Sequence, residues 1–124
     1  MAVSLTPKEN LSYRTVKLET TTAAAQTNIT GGAVTIYSIL VDNAATAVTY
    51  VKLHDGTFST TDAVGTTAPT HIFRVPAQTK KTINIPSGLA FSTALNVWCE
   101  KNPGTAGTTA PSGGTVTIYF TTGV

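Results

Sequence analysis

Thr115-Val116-Thr117-Ile118-Tyr119-Phe120-Thr121 alternates strictly, with Val116, Ile118 and Phe120 on one face and Thr115, Thr117 and Tyr119 on the other. A period of two built from β-branched and aromatic residues reads as a strand with one buried side. The same pattern recurs upstream. Leu95, Val97 and Cys99 share one face of residues 95–100, opposite Asn96, Trp98 and Glu100. In residues 13–20, Val16 and Leu18 face one way and Thr15 and Lys17 the other.

Residues 33–41 are apolar on both sides, which predicts a central strand covered on both faces. Residues 42–47 read as the connection of a hairpin into a strand over 48–53. That strand ends at His54-Asp55-Gly56, because Asp-Gly favours turns that need positive φ. A polar loop spans 57–69. Residues 70–75 and 80–85 read as strands stopped by Pro76 and Pro86, since proline cannot donate to a ladder. Ser87-Gly88 then turns the chain into a short strand over 89–92. Residues 101–114, rich in Gly, Pro and Thr, form a loop. No window of helical length lacks β-branched crowding or turn residues, and Ala23-Ala24-Ala25 is too short to nucleate a helix.

The expectation is an all-β, jelly-roll-like antiparallel sandwich of about eight strands. Its expected core is Val16, Leu18, Ile36, Leu40, Val51, Leu53, Phe73, Val75, Ile83, Ile85, Leu95, Val97, Val116, Ile118 and Phe120. Residues 1–12 are expected to be an N-terminal arm, with Val3 and Leu5 as its apolar anchors, and residues 13–124 a single domain. No exact internal repeat suggests a propeller or a solenoid.

Composition narrows the function. Charged residues are 11% of the 124-residue chain, against about 25% in an ordinary domain. Threonine fills the gap at roughly a fifth of the chain. The net charge is +2, and Lys80-Lys81 is the only basic pair. A duplex-binding face would cluster several cations, so no nucleic-acid partner is expected. No stretch reaches transmembrane length and residues 1–10 have no signal-peptide core, so no membrane partner is expected either. Cys99 is the single cysteine, which excludes an intrachain disulfide and fits folding in a reducing cytoplasm.

The residues that usually carry chemistry do not assemble into a motif. His54 and His71 lie apart, with no Cys-x-x-Cys or His-Glu-x-x-His spacing, so no metal or cofactor is expected. His54-Asp55 reads as turn geometry rather than a base and its orienter. His71 alternates with Phe73 and Val75 and reads as a residue at the edge of the core. Cys99 reads as a small buried hydrophobe. The tract 104–114 lacks the Lys and the following helix of a phosphate-binding loop. The acids Glu9, Glu19, Asp42, Asp55, Asp62 and Glu100 are scattered; two converging would suggest a glycosidase, but the spread reads as solubility. No catalytic residue and no small-molecule substrate are expected. Trp98 and Tyr119 are candidate interface residues, each lying opposite an apolar face. Trp98 is either covered by a loop or presented to a partner, and an exposed aromatic platform would also suit stacking on sugars.

Residues 83–100 read Ile-Asn-Ile-Pro-Ser-Gly-Leu-Ala-Phe-Ser-Thr-Ala-Leu-Asn-Val-Trp-Cys-Glu. They follow Ala-Val-Thr-Tyr-Val-Lys-Leu at 47–53 and Val-Gly-Thr-Thr-Ala-Pro at 64–69. This order resembles small virion proteins of tailed bacteriophages, cyanophages included, that decorate or cement the capsid. The resemblance covers residues 33–121. The chain departs from the pattern at Gln78, where the turn often carries Gly, and at Ala94, where a second Gly would precede Leu95. What the resemblance implies is a structural virion protein, assembled in the host cytoplasm. Such a protein would form a homotrimer that binds the major capsid protein on the outer surface of the head. A tail-fibre or receptor-binding module and a carbohydrate-binding β-sandwich are the alternatives. The motif carries no active site, so it transfers no functional residue.

Overall fold

Alternating β-branched sequences bury one face only by pairing into sheets, and this chain forms two. The computed structural model describes residues 13–20, 23–59 and 61–123. The expected arm, with Val3 and Leu5, lies outside the described residues. The strands are β1 (Tyr13–Thr20), β2 (Val34–Asn43), β3 (Thr49–Asp55), β4 (His71–Val75), β5 (Thr79–Phe91), β6 (Leu95–Glu100) and β7 (Val116–Gly123), and no helix occurs among the described residues. Every pairing is antiparallel. One sheet has the order β1-β7-β2-β5 and the other β4-β3-β6.

The two inner faces meet in one core of Ile36, Ile39, Val41, Val51, Leu53, Val75, Phe91, Leu95, Val97, Cys99, Val116, Ile118 and Phe120. Val16, Leu18, Phe73, Ile83 and Ile85 pack against it at the margins. Each large core side chain contributes about 1.5–3 kcal/mol by leaving water. Pairing within each sheet is mostly non-local, since the strands adjacent in a sheet are mostly distant in sequence.

Four expectations are corrected. The connection after β2 is not a hairpin: β2 pairs with β5 and β7, β3 pairs with β4 and β6, and residues 44–48 cross from one sheet to the other. Leu40 is not in the core. A register shift between Ile36 and Ser38 flips the phase of β2, so Ile39, Val41 and Asn43 point inward and Leu40 outward; a one-residue slip exchanges the two faces of a strand. β2 is central, but its outer-face residues Ser38, Leu40 and Asp42 are only partly buried, so it is covered on one face only. Finally, the segments expected over 80–85 and 89–92 are one strand. β5 runs through Pro86 because it is an edge strand, where a missing N–H breaks no ladder. The pairing resumes from Ser38↔Asn84 to Ile36↔Leu89, so residues 85–88 bulge out, with Gly88 at φ 84°. Seven strands therefore stand among the described residues where spacing suggests about eight.

The free edge of β6 is occupied by loop backbone. Gln26 exchanges both amide bonds with Val97 (2.7 and 2.9 Å), the Ile29 N–H donates to Leu95 at 3.1 Å, and the Lys101 N–H donates to Thr109 at 3.0 Å.

Candidate functional site

β6 is buried on both sides along its whole length. Leu95, Val97 and Cys99 enter the inter-sheet core. Asn96, Trp98 and Glu100 stand on the opposite face of the three-stranded sheet, where loops roof them over. Sequence alternation finds this second face but not its cover, which arrives from residues far away in the chain.

Asn96 organises one end of the roof. Its Oδ1 accepts from the Asn28 N–H (2.9 Å), while its Nδ2 donates to the carbonyls of Gly56 (2.8 Å) and His54 (3.2 Å) and lies 3.0 Å from His54 Nδ1. A buried amide costs little only when its groups are paired in this way. Trp98 comes next, 2% exposed. Its ring lies 5.8 Å from the Phe58 ring and 6.4 Å from that of His54. Of the two readings left open for Trp98, the covered one holds in this structure, and Trp98 presents no surface to a partner.

At the far end sits a pair that sequence reasoning missed. Lys52 and Glu100 are fully buried, and Lys52 Nζ contacts both Glu100 Oε1 and the Gly104 carbonyl. Glu100 Oε2 is buried with no hydrogen-bond partner. Loop 101–114 presses so closely that a Cβ at Gly107 would overlap Glu100 Oε1. The available signal was Lys52 itself, a lysine in mid-strand between the core residues Val51 and Leu53.

The remaining described acids have structural partners. Asp55 closes the turn before β6, accepting from the backbone N–H of Ser92 (2.9 Å) and Thr93 (3.0 Å) and from the Ser92 hydroxyl (3.1 Å). The Thr93 N–H is the main cause that holds its carboxyl below the usual range. Asp62 is lowered likewise, chiefly by the Ser59 N–H at 2.8 Å. Glu19 pairs with Lys17 at 2.9 Å, and Asp42 approaches Lys80 at 4.0 Å. His71 packs on the rings of Phe73 and Phe91, at the edge of the core as expected. Cys99 is a buried thiol pushed up to about 12 by desolvation. Among the described residues no three His, Cys, Asp or Glu side chains group as metal ligands.

The four-stranded sheet leaves its outer face open. The register sets Lys17, Tyr119, Leu40 and Thr82 in one row across all four strands, and Glu19, Thr117, Asp42 and Lys80 in the next. A third row contains Thr121, Ser38 and Asn84. Tyr119 is half-buried at the middle of this hydroxyl-rich face. At its rim a cleft of about 360 Å³ is bordered by Thr35, Tyr37, Phe91 and Ser92. A smaller cleft of about 220 Å³ lies beside Phe58 and Asn96. No protein-family model matches the sequence, and no curated protein is similar to it in sequence.

Proposed function

We propose that this chain is a capsid decoration, or cement, protein: a jelly-roll sandwich that binds the outer surface of a phage head as a homotrimer and stabilises it. The observation that carries the reading is the strand order. β1-β7-β2-β5 faces β4-β3-β6, and the Gln26 segment bridges to β6 in the position of a further strand. Counting that segment as a vestigial eighth strand gives two four-membered sheets wound as a double Greek key. This architecture recurs in viral capsid and lectin domains. The resemblance over residues 33–121 favours the first of these.

The open face supports the same reading. It is broad and carries Thr, Ser and Asn around Tyr119 and Leu40, with its charges confined to Lys17, Glu19, Asp42 and Lys80. Such a surface can be dried against a partner at modest desolvation cost. A stable interface takes about 1,200–2,000 Å² in total, and a trimer seated across a capsomer junction would draw that area from this face.

The lectin alternative rests on the cleft at Tyr37, whose hydroxyl-bearing rim suits a sugar. Copy number in purified particles separates the readings. Quantitative mass spectrometry of intact particles should find the chain at the copy number of the capsid lattice and on the head. Recovery with isolated tails alone would favour the fibre reading, and absence from particles would overturn both virion readings.

A further inference from the structure

We propose that Lys52 and Glu100 are the two ends of an intramolecular amide crosslink that joins β3 to β6. The inference is independent of the decoration reading. It starts from the cost of the pair. Both side chains are fully buried, and removing two charges from water is repaid only when every lone pair and proton finds a partner. Here Glu100 Oε2 finds none. Condensation removes both charges and that orphan oxygen together.

The strand register and the ion pair hold the two side-chain ends together. Tyr50 is opposite Glu100 and Lys52 opposite Trp98, so Lys52 and Glu100 are diagonal neighbours on one face of adjacent strands. Trp98 stands on the same face, and loop 101–114 closes over the pair through the Gly104 carbonyl and Gly107. Well-oriented intramolecular reactions reach effective molarities on the order of 10⁵–10⁸ M, and a fixed pair of this kind draws on that advantage. Exclusion of bulk water opposes the reverse hydrolysis.

The step balances without any other reactant. The Lys52 ammonium passes a proton to Glu100, leaving a neutral amine beside a neutral carboxylic acid. The Nζ lone pair attacks Cδ, the new C–N bond forms, and the bond from Cδ to Oε2 breaks. Oε2 leaves as water with two of the three ammonium protons. The third remains as the amide N–H, which donates to the Gly104 carbonyl that Nζ already contacts. Oε1 becomes the amide oxygen.

Intact-mass measurement and a tryptic map of the purified full-length chain test this. The expected mass is that of the sequence less one water. Trypsin cannot cut at an acylated Lys52, so residues 18–74 should appear uncut and joined to residues 82–101. Separate, unmodified peptides 18–52, 53–74 and 82–101 would overturn the proposal. So would a water loss confined to 53–74, which would mark a cyclic imide at Asp55-Gly56 instead. In Glu100→Gln the same joined fragments should form with loss of ammonia rather than water. A joined fragment persisting in Glu100→Ala would place the acceptor elsewhere and also overturn it.

Discussion

Asn43 Nδ2 donates to the carbonyl of Pro76 at 3.0 Å, across the gap between the two sheets' ends. The same nitrogen reaches the carbonyls of Ala47 (3.0 Å) and Val75 (3.3 Å), and Asn43 Oδ1 accepts from the Ala45 N–H at 3.1 Å. One fully buried amide thus ties the β2–β3 crossover to the β4–β5 turn. Asn43→Ala leaves those carbonyls and one N–H in need of partners and should cost about 2–4 kcal/mol. Urea denaturation of the two proteins measures it; a loss below about 0.5 kcal/mol would mean that the clamp is redundant.

Asp55 predicts the direction of an acid effect. Its donors lower the carboxyl in the folded state, so the folded chain binds fewer protons there than the unfolded chain. The stabilisation is complete above the ordinary carboxylate value and disappears as pH falls through the depressed folded value. In Asp55→Asn the melting temperature at neutral pH should fall, and its drop on acidification should be shallower than in the wild type. Parallel melting curves across that range read both quantities.

Trp98 should emit like a tryptophan in an apolar pocket and resist quenching by iodide. Phe58 supplies the cover, at a ring separation of 5.8 Å. Phe58→Ser should therefore increase quenching while the β-sheet circular dichroism stays unchanged. Strong quenching in the wild type would show the loop to be open.

Cys99 should not react with a thiol reagent until the chain is denatured. It is fully buried, and desolvation keeps it protonated to about 12, whereas only the thiolate is nucleophilic. Fast labelling of the native protein would mean that β6 detaches readily from β3.

How much of this was legible depended on whether the signal was local. β1, β6 and β7 were readable because their alternation is unbroken, and each core face follows from it. β2 changes phase at the shift near Tyr37, and no residue type there announces a bulge, so alternation alone puts Leu40 on the core side. Pro86 looks like a stop in sequence, because nothing local says which strand lies at an edge. The crossover after Asn43 resembled a hairpin connection by length alone, lacking the Asn-Gly or Asp-Gly signature. In the functional region, the cover on Trp98 and the pairing of Lys52 with Glu100 span 40 and 48 residues. Such partners are fixed by topology, and alternation carries no information about them. Gly107 shows the same limit in part, since a Cβ there would meet Glu100 as well as its near neighbour Asn102.

The bulge of residues 85–88 in β5 constrains how copies of the chain can be crowded together. A strand that bends outward and lacks the Pro86 N–H offers no straight template to a neighbouring backbone. The loop backbone along β6 has the same effect on the other sheet. Molecules concentrated side by side on any surface are therefore kept from zipping edge to edge along these two strands, which leaves β1 and β4 as the edges where backbone pairing between copies could begin. Backbone zippering propagates from copy to copy, and the bulge and the loop each remove one edge from which it could spread.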